Sequence, residues 1–321
     1  MSVAESPKVA VIGAGHWGKN LARNFAELGA LAAVCDPNPE TAAREAEKNG
    51  VEVKSFEDVL QDDGVAAVAI AAPAELHADL ALEAFAADKH VYVEKPLALT
   101  REEGRRMLAA ADDAGRVLMV GHLLQYHPAF EAALACVRDG GVGALRYAYS
   151  HRLSLGKFRR AENALWSFAP HDVSMLLALF GEAPETVSGR GGSYVTDGVE
   201  DEYRVDMTFS GGRRAHVFAS WLHPFKEHRL VIVGEKGMIV FEDSNPDAAQ
   251  KLRLYRHGVA VGDHDPIPTK VDAEAIPYAS HEPLKQECAH FLECAATGAT
   301  PRTDGVEAMA VLDALLRAEG V

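Results

Sequence analysis

Positive charge is what this chain has least of. Against 47 Asp and Glu stand 32 Lys and Arg, a formal net charge of −15 over 321 residues. So acidic a surface does not take up a phosphate backbone, which excludes nucleic acid as a partner but leaves room for a local basic pocket that holds an anionic small molecule. Cysteine is also scarce. Cys35, Cys136, Cys288 and Cys294 form neither a C-x-x-C pair nor a zinc spacing, so four reduced, mostly buried thiols and no metal site are expected. No apolar run is long enough to span a bilayer, and Met1-Ser2-Val3-Ala4-Glu5-Ser6-Pro7 lacks the basic and apolar regions of a signal peptide. No membrane association and a cytoplasmic location are therefore expected. P-loop, H-E-x-x-H and G-x-S-x-G motifs, low-complexity segments and internal repeats are all missing.

What is present is ordinary in bulk: 48% hydrophobic and 25% charged residues, in a chain too long for one typical core. The most informative stretch is Val9-Ala10-Val11-Ile12-Gly13-Ala14-Gly15-His16-Trp17-Gly18. Four apolar residues read as a buried strand, G-x-G-x-x-G follows at once, and Trp17, Leu21, Phe25 and Leu28 then recur at helical spacing. Strand, glycine turn and helix open a dinucleotide-binding βαβ unit. Gly13 permits the tight turn, Gly15 lets the backbone approach a pyrophosphate, Gly18 lets helix and strand pack, and the helix N-terminus faces the phosphates. The next strand, Leu31-Ala32-Ala33-Val34-Cys35-Asp36, ends in an acid about 20 residues on, where the fingerprint places its ribose-binding carboxylate. Asp36 repels a 2′-phosphate, and Pro37-Asn38-Pro39 supplies no Arg to neutralise one. The cofactor expected is NAD in preference to NADP.

Strands and helical patterns alternate up to Val117-Leu118-Met119-Val120-Gly121, which predicts an α/β Rossmann domain with a doubly wound parallel sheet over residues 1–122. Thr100 and Glu103 form a capping box at one of its helices. From His122 the character changes. Strands predicted at 144–153, 186–195, 203–209, 214–222 and 228–233 are interrupted by a helix at 166–180 and followed by helices at 283–296 and 306–318. Residues 123–321 are thus expected to form an α+β substrate-binding and oligomerisation domain on a large mixed or antiparallel open sheet. Gly189-Arg190-Gly191-Gly192-Ser193 opens no helix and reads as a bend or bulge.

Ligands of open parallel sheets bind beyond the carboxyl ends of the strands. The segments expected there are 13–18, 71–77 (with Ala72, Pro73 and His77), Glu94-Lys95-Pro96, and 121–128 (with His122, Gln125 and Tyr126). The glycine turn, a strand ending in Glu94-Lys95-Pro96, Gly121-His122 and a helix opening with His171-Asp172 together resemble the Gfo/Idh/MocA oxidoreductases over nearly the whole chain. The resemblance implies NAD(P)-dependent oxidation of a secondary alcohol on a sugar or cyclitol, with Lys95 orienting the hydroxyl beside the nicotinamide and His171 as acid/base. A Lys at a strand end beside a dinucleotide is partly desolvated, which lowers its pKa toward useful values. His171 sits among Trp166, Phe168 and Met175, and a helix N-terminus there would keep it neutral. Either Lys95 or His171 can be the base.

Many relatives carry an Asp four residues before this His, whereas this chain has Ser167. That removes the Lys, Asp, His set and points away from inositol. Trp166-Ser167-Phe168-Ala169-Pro170-His171-Asp172 is instead similar to the branch that oxidises UDP-N-acetylglucosamine or its uronate at C3, ahead of an aminotransferase. Gln125 is placed to reach the nicotinamide amide or the substrate, with Tyr126 beside it on the substrate side. His16 lies within the glycine turn and Trp17 is expected near the pyrophosphate. His77 and His122 either shape the cofactor pocket or are structural. Arg152, Lys157, Arg159 and Arg160 are a basic run with two readings, a solvated loop or a contact to a substrate diphosphate. Three functions follow: an NAD-dependent UDP-amino-sugar 3-dehydrogenase, a dehydrogenase of a free sugar or cyclitol, or a non-catalytic NAD-binding sensor. A homodimer or homotetramer is expected, because the second sheet has too few helices to cover both faces.

Overall fold

A computed structural model of the chain describes residues 6–156, 158–160, 162–261 and 265–321. They divide into two compact units, one comprising residues up to Leu123 with His281–Leu312, the other Leu124–Ser280 with Asp313–Val321.

The first unit runs β1 (Val9–Ile12), α1 (Gly18–Glu27), β2 (Leu31–Cys35), α2 (Pro39–Asn49), β3 (Glu52–Val53), α3 (Phe56–Gln61), β4 (Ala67–Ile70), α4 (His77–Ala86), β5 (His90–Glu94), α5 (Arg101–Ala114) and β6 (Leu118–Gly121). The six strands form one parallel sheet in the order β3-β2-β1-β4-β5-β6. β1, β4 and β6 are buried along their whole length, as strands covered on both faces must be. Local chemistry sets the helix ends. Asn38 caps α2 and Gly50, at φ 68°, stops it, while Thr100 and Glu103 complete the expected capping box on α5. Short α3, capped by Ser55, is missing from the sequence reading because six residues show no period.

The second unit contains α6 (Pro128–Arg138), β7 (Leu145–Leu155), α7 (Ala164–Phe180), β8 (Thr186–Gly192), β9 (Glu202–Thr208), β10 (Arg214–Ser220), β11 (Leu222–Gly234), β12 (Met238–Glu242), β13 (Leu252–Tyr255), β14 (Gly258–Ala260), β15 (Ile267–Thr269) and β16 (Glu274–Ala275). Eight of its strands make a mixed sheet, β16-β13-β12-β11-β7-β10-β9-β8, in which only β7 and β10 run parallel. Strand alternation gives the sheet two unlike faces. Ala148, Val205, Met207, Ala215, Val217 and Ala219 are buried on the face that α7 covers. Residues 189–192 are not a bend but lie inside β8. A Cβ on Gly189 would stand 2.4 Å from the Ala318 carbonyl oxygen, and one on Gly191 2.5 Å from the Tyr203 ring, so glycine is there to let a helix end and an aromatic ring approach.

The predicted boundary needs correcting at the far end. α8 (Pro283–Thr297) belongs to the first unit, and α9 (Gly305–Glu319) begins in the first and ends in the second. Phe291 of α8 meets the edges of Phe25 and Tyr92 at 6.3 and 5.8 Å between ring centres. The Val120 N–H donates to the Thr303 carbonyl at 2.8 Å, and the Thr303 hydroxyl donates back to Val120 at 2.7 Å. An amphipathic helix announces that it buries a face and says nothing of which one it meets. Among the described residues no helix is long and apolar enough to cross a membrane. All four cysteines are free, Cys288 and Cys294 buried, Cys35 and Cys136 half-buried.

Candidate active site

In the first unit the glycine turn has the shape its spacing implies. Gly13 has φ 89°, and a Cβ on it would lie 2.8 Å from the Ala71 carbonyl oxygen. A Cβ on Gly18 would stand 1.8 Å from the Gly13 carbonyl oxygen, so α1 packs on the turn only with glycine there. At Gly15, by contrast, a Cβ would meet nothing within 4 Å. Open space therefore lies over the backbone where a pyrophosphate would approach. Asp36, just past β2, is held by the Ala14 N–H at 2.7 Å and the Asn38 N–H at 2.9 Å, one to each oxygen. Both donors orient the carboxylate and leave it lone pairs for a ribose. The residues present fit NAD. His16 is exposed in the turn.

The neighbouring strand ends are stitched together. His77 is buried at the start of α4, one ring nitrogen 2.8 Å from the Pro96 carbonyl and the other 3.0 Å from that of Ala72. It thus ties the segment after β4, where Pro73 is exposed, to the segment that carries half-buried Lys95. Burial pushes its pKa down, against the pull of the two carbonyls. His122, after β6, places Nδ1 2.6 Å from Glu307 and so anchors α9 in this unit. Of the two readings open for these histidines, the contacts are those of structural ties. Trp17 is 37% exposed, and its indole N–H donates to Glu94, which precedes Lys95. Lys95 and Pro96 are joined by a cis peptide bond.

In the second unit, Gln125 and Tyr126 lie in a turn of 3₁₀ helix ahead of α6. Buried Gln125 donates from Nε2 to Ser174 Oγ at 2.7 Å. Tyr126 is wholly buried and presents no surface to a substrate, contrary to the expectation for it. α7 starts at its Asn163 cap, whose side chain accepts from the Trp166 N–H. His171 therefore lies well inside α7, next to Pro170, and not at its N-terminus. The helix-end reason for its neutrality does not hold, because the dipole effect fades within the first turn. Ser167, His171 and Ser174 recur at i, i+4 and i+7 on one stripe of α7, and Gln125 joins them through Ser174. This polar strip gathers three of the predicted residues, Ser167, His171 and Gln125. Half-buried Trp166 flanks it.

The basic run comes apart. Arg152 is buried on β7, where it forms a two-pronged pair with Asp172 through Nε and, at 3.2 Å, Nη2. Ser150 also donates to Asp172, and Arg152 donates to His228 Nδ1 at 3.2 Å. Arg152 thus fixes α7 to the sheet and is spent. Burial and this guanidinium push the His228 pKa down to about 3. Beyond it, hydrogen bonding from His127 at the α6 cap, together with Lys251, holds Asp243 well below the usual carboxylate range. Arg159 and Arg160 are exposed, Arg159 paired with Glu162 at 2.9 Å, and Lys157 falls outside the described residues. Ser174, Ser150 and His228 escape sequence reading, and Asp172 enters it only as part of the His171-Asp172 motif, because each matters through a partner distant in the chain.

Two family models cover most of the chain. The oxidoreductase family, NAD-binding Rossmann fold, matches residues 7–122, and the GFO/IDH/MocA C-terminal domain matches residues 130–240. The chain belongs to the Gfo/Idh/MocA family. As a member it is an NAD-dependent oxidoreductase. It is 31% identical to UDP-N-acetylglucosamine 3-dehydrogenase of Acidithiobacillus ferrooxidans, over 97% of this chain and 95% of that protein. A solved structure of the same enzyme superposes with a TM-score of 0.85 at 29% identity, covering 98% of this chain and 96% of the other. The scyllo-inositol 2-dehydrogenase (NAD(+)) of Bacillus subtilis is 27% identical over 94% of this chain and 90% of its own. In this family member the glycine turn, Asp36 and the end of β5 are the candidate nucleotide site of the first unit, and the α7 strip is a candidate substrate-binding surface of the second.

Proposed function

We propose that the protein oxidises the C3 hydroxyl of a UDP-linked N-acetylated amino sugar, N-acetylglucosamine or its uronate, to the 3-keto sugar. The observation that carries this reading is end-to-end similarity to a UDP-N-acetylglucosamine 3-dehydrogenase, with 97% and 95% of the two chains aligned. Ser167 supports it, since a neutral hydroxyl one turn before His171 replaces the acid seen in many sugar and cyclitol dehydrogenases. The Gly13–Gly18 turn and Asp36 would hold NAD, which would supply the hydride acceptor for C3. The hydroxyl proton must then pass to a base, and Lys95 or His171 fills that role. Lys95 as ammonium holds the hydroxyl oxygen, while His171 accepts the proton, or the two exchange parts. Exposed Arg160 stands as the contact for the diphosphate. The product's ketone is what an aminotransferase consumes.

A second reading, a free-sugar or cyclitol dehydrogenase, draws on the likeness to the Bacillus subtilis enzyme over 94% of the chain. The test is a panel of UDP-sugars, free sugars and cyclitols followed by NADH absorbance, with and without a 2-oxo acid to reoxidise the cofactor. Turnover of UDP-N-acetylglucosamine or its uronate is expected. Turnover of free sugars or cyclitols alone would replace this reading by the second. NAD binding with no turnover of any of them would make the protein a sensor.

A further inference from the structure

Tyr92, on β5, places its hydroxyl 3.1 Å from Glu94 Oε1 and 3.1 Å from Glu287 Oε2 on α8. Tyr92 and Glu287 have no exposed surface. A phenol carries one proton and can donate to only one of the two carboxyls. The second contact is a hydrogen bond only if that carboxyl is itself protonated and donates to the phenol oxygen. Two carboxylates gathered on one hydroxyl would otherwise repel.

The surroundings decide which carboxyl holds the proton. Burial raises the Glu94 carboxyl too, but Glu94 is only half-buried, and it accepts from the Trp17 indole N–H and lies beside Lys95, each of which favours its ionised form. Glu287 is sealed in, its Oε1 meets no hydrogen-bond partner among the described residues, and the charge acting on it is that of Glu94, of its own sign. The other groups facing it bring no relief. Cys288 is buried and held as a thiol, and Arg23 of α1 is engaged by Glu27 and Glu282.

We propose that Glu287 is a neutral carboxylic acid at physiological pH that donates to Tyr92, which donates in turn to an ionised Glu94, and that this chain positions Glu94 against Trp17 on the glycine turn. Burial drives the Glu287 carboxyl well above its ordinary range and the Tyr92 phenol likewise, so neither ionises. Gly121 of β6 makes room for the chain. A Cβ there would stand 2.6 Å from the Tyr92 hydroxyl and 3.0 Å from both Glu94 oxygens. Glu287 is thus a positioning residue that acts through two others. The inference rests on NAD binding by the glycine turn and is independent of which sugar is oxidised.

The full-length protein at neutral pH should show the carbonyl band of a protonated carboxyl in the infrared difference between wild type and Glu287→Gln. Its absence would overturn the proposal. Glutamine keeps a donor, so Glu287→Gln should bind NAD within about twofold of wild type, whereas Tyr92→Phe, which removes the proton offered to Glu94, should bind about tenfold more weakly. The opposite order would overturn the positioning role. Should Glu287→Gln not fold, the band is followed in wild type against Tyr92→Phe, which must shift it. Finally, Glu287 ionises only on unfolding, so the unfolding constant of wild type relative to Glu287→Gln should rise about tenfold per pH unit above about pH 5. A ratio that stays flat from about pH 5 to 8 would mean an ionised Glu287 and an incorrect proposal.

Discussion

With Ala14 and Asn38 donating one hydrogen bond to each of its oxygens, Asp36 is a fixed carboxylate just past β2, where the fingerprint expects the adenosine ribose. A 2′-phosphate brought there meets like charge at a cost of about 1.4 kcal/mol or more. NAD should therefore bind at least about tenfold more tightly than NADP, and Asp36→Ala should narrow the gap. Titration calorimetry with both cofactors decides it, and equal affinities in the wild type would refute the role given to Asp36. For Lys95 and His171, loss of general acid–base catalysis predicts that each alanine variant lowers kcat about 100-fold or more. NAD affinity should barely change, since neither residue is needed for the ribose or pyrophosphate contacts. Normal turnover in His171→Ala would leave Lys95 as the only base, whereas loss of NAD binding in both would make them parts of the cofactor pocket. Residues of this kind are legible in the sequence because a short motif defines them. His77, His122 and Arg152 are not, because their partners stand 19, 185 and 20 residues away and only folding names them.

At the level of elements, the turn between β1 and α1 has no slack. A side chain at Gly18 collides with the Gly13 carbonyl, so Gly18→Val should abolish NAD binding and lower the melting temperature by several degrees, as measured by calorimetry with and without cofactor. The network joining β7, β11 and α7 makes a pH prediction. His228 has an unfolded pKa near 6.5 and a folded pKa of about 3, so unfolding takes up a proton between those values. The stability it contributes is complete above about pH 6.5 and is lost as pH falls, by about 1–2 kcal/mol at pH 5. Asp243, depressed in the fold, adds a loss at lower pH, through the carboxylate range. Urea midpoints at pH 7, 6 and 5 should fall in wild type and fall less in His228→Gln. Parallel decline of both proteins would show that His228 does not carry the effect. The elements themselves were largely readable, since strand runs, caps and helical periods are local signals. Short α3 and the short strands β12 to β16 offered too few residues for a period. Sheet order was hidden too, because β7 pairs β10 and β11, which lie more than fifty residues beyond it in the chain.

For the whole molecule, the face of the eight-stranded sheet turned away from α7 is the surface to watch. Tyr149 stacks on His216 at 5.2 Å, His151 meets the edge of Phe218 at 6.3 Å, and Tyr147 is 43% exposed. Tyr147, Tyr149 and Phe218 give this face the aromatic content enriched in interface cores. We propose that a second copy of the chain covers it, in an isologous dimer in which each sheet face meets its own image. Light scattering at micromolar concentration should give a dimer or a multiple of one. Tyr149→Asp, which sets a charge at the centre of that face, should shift the population toward monomer with helix content unchanged. A monomeric wild type would dismiss the assembly.

The return of α8 to the first unit has a consequence for synthesis. The ribosome delivers the six strands of the nucleotide-binding sheet within the first 121 residues, but Phe291, Glu287 and Thr303, which close over Phe25, Tyr92 and Val120, emerge only near the end of the chain. The unit that starts first is therefore completed only by residues 281–312, after all of the intervening unit except its Asp313–Val321 segment has been made. At about 5–20 residues per second, the nucleotide-binding sheet waits on the order of ten seconds or more with an apolar face unsealed. A chaperone that binds such faces would meet this protein during that interval, and a stalled or truncated transcript would release it in its most aggregation-prone form.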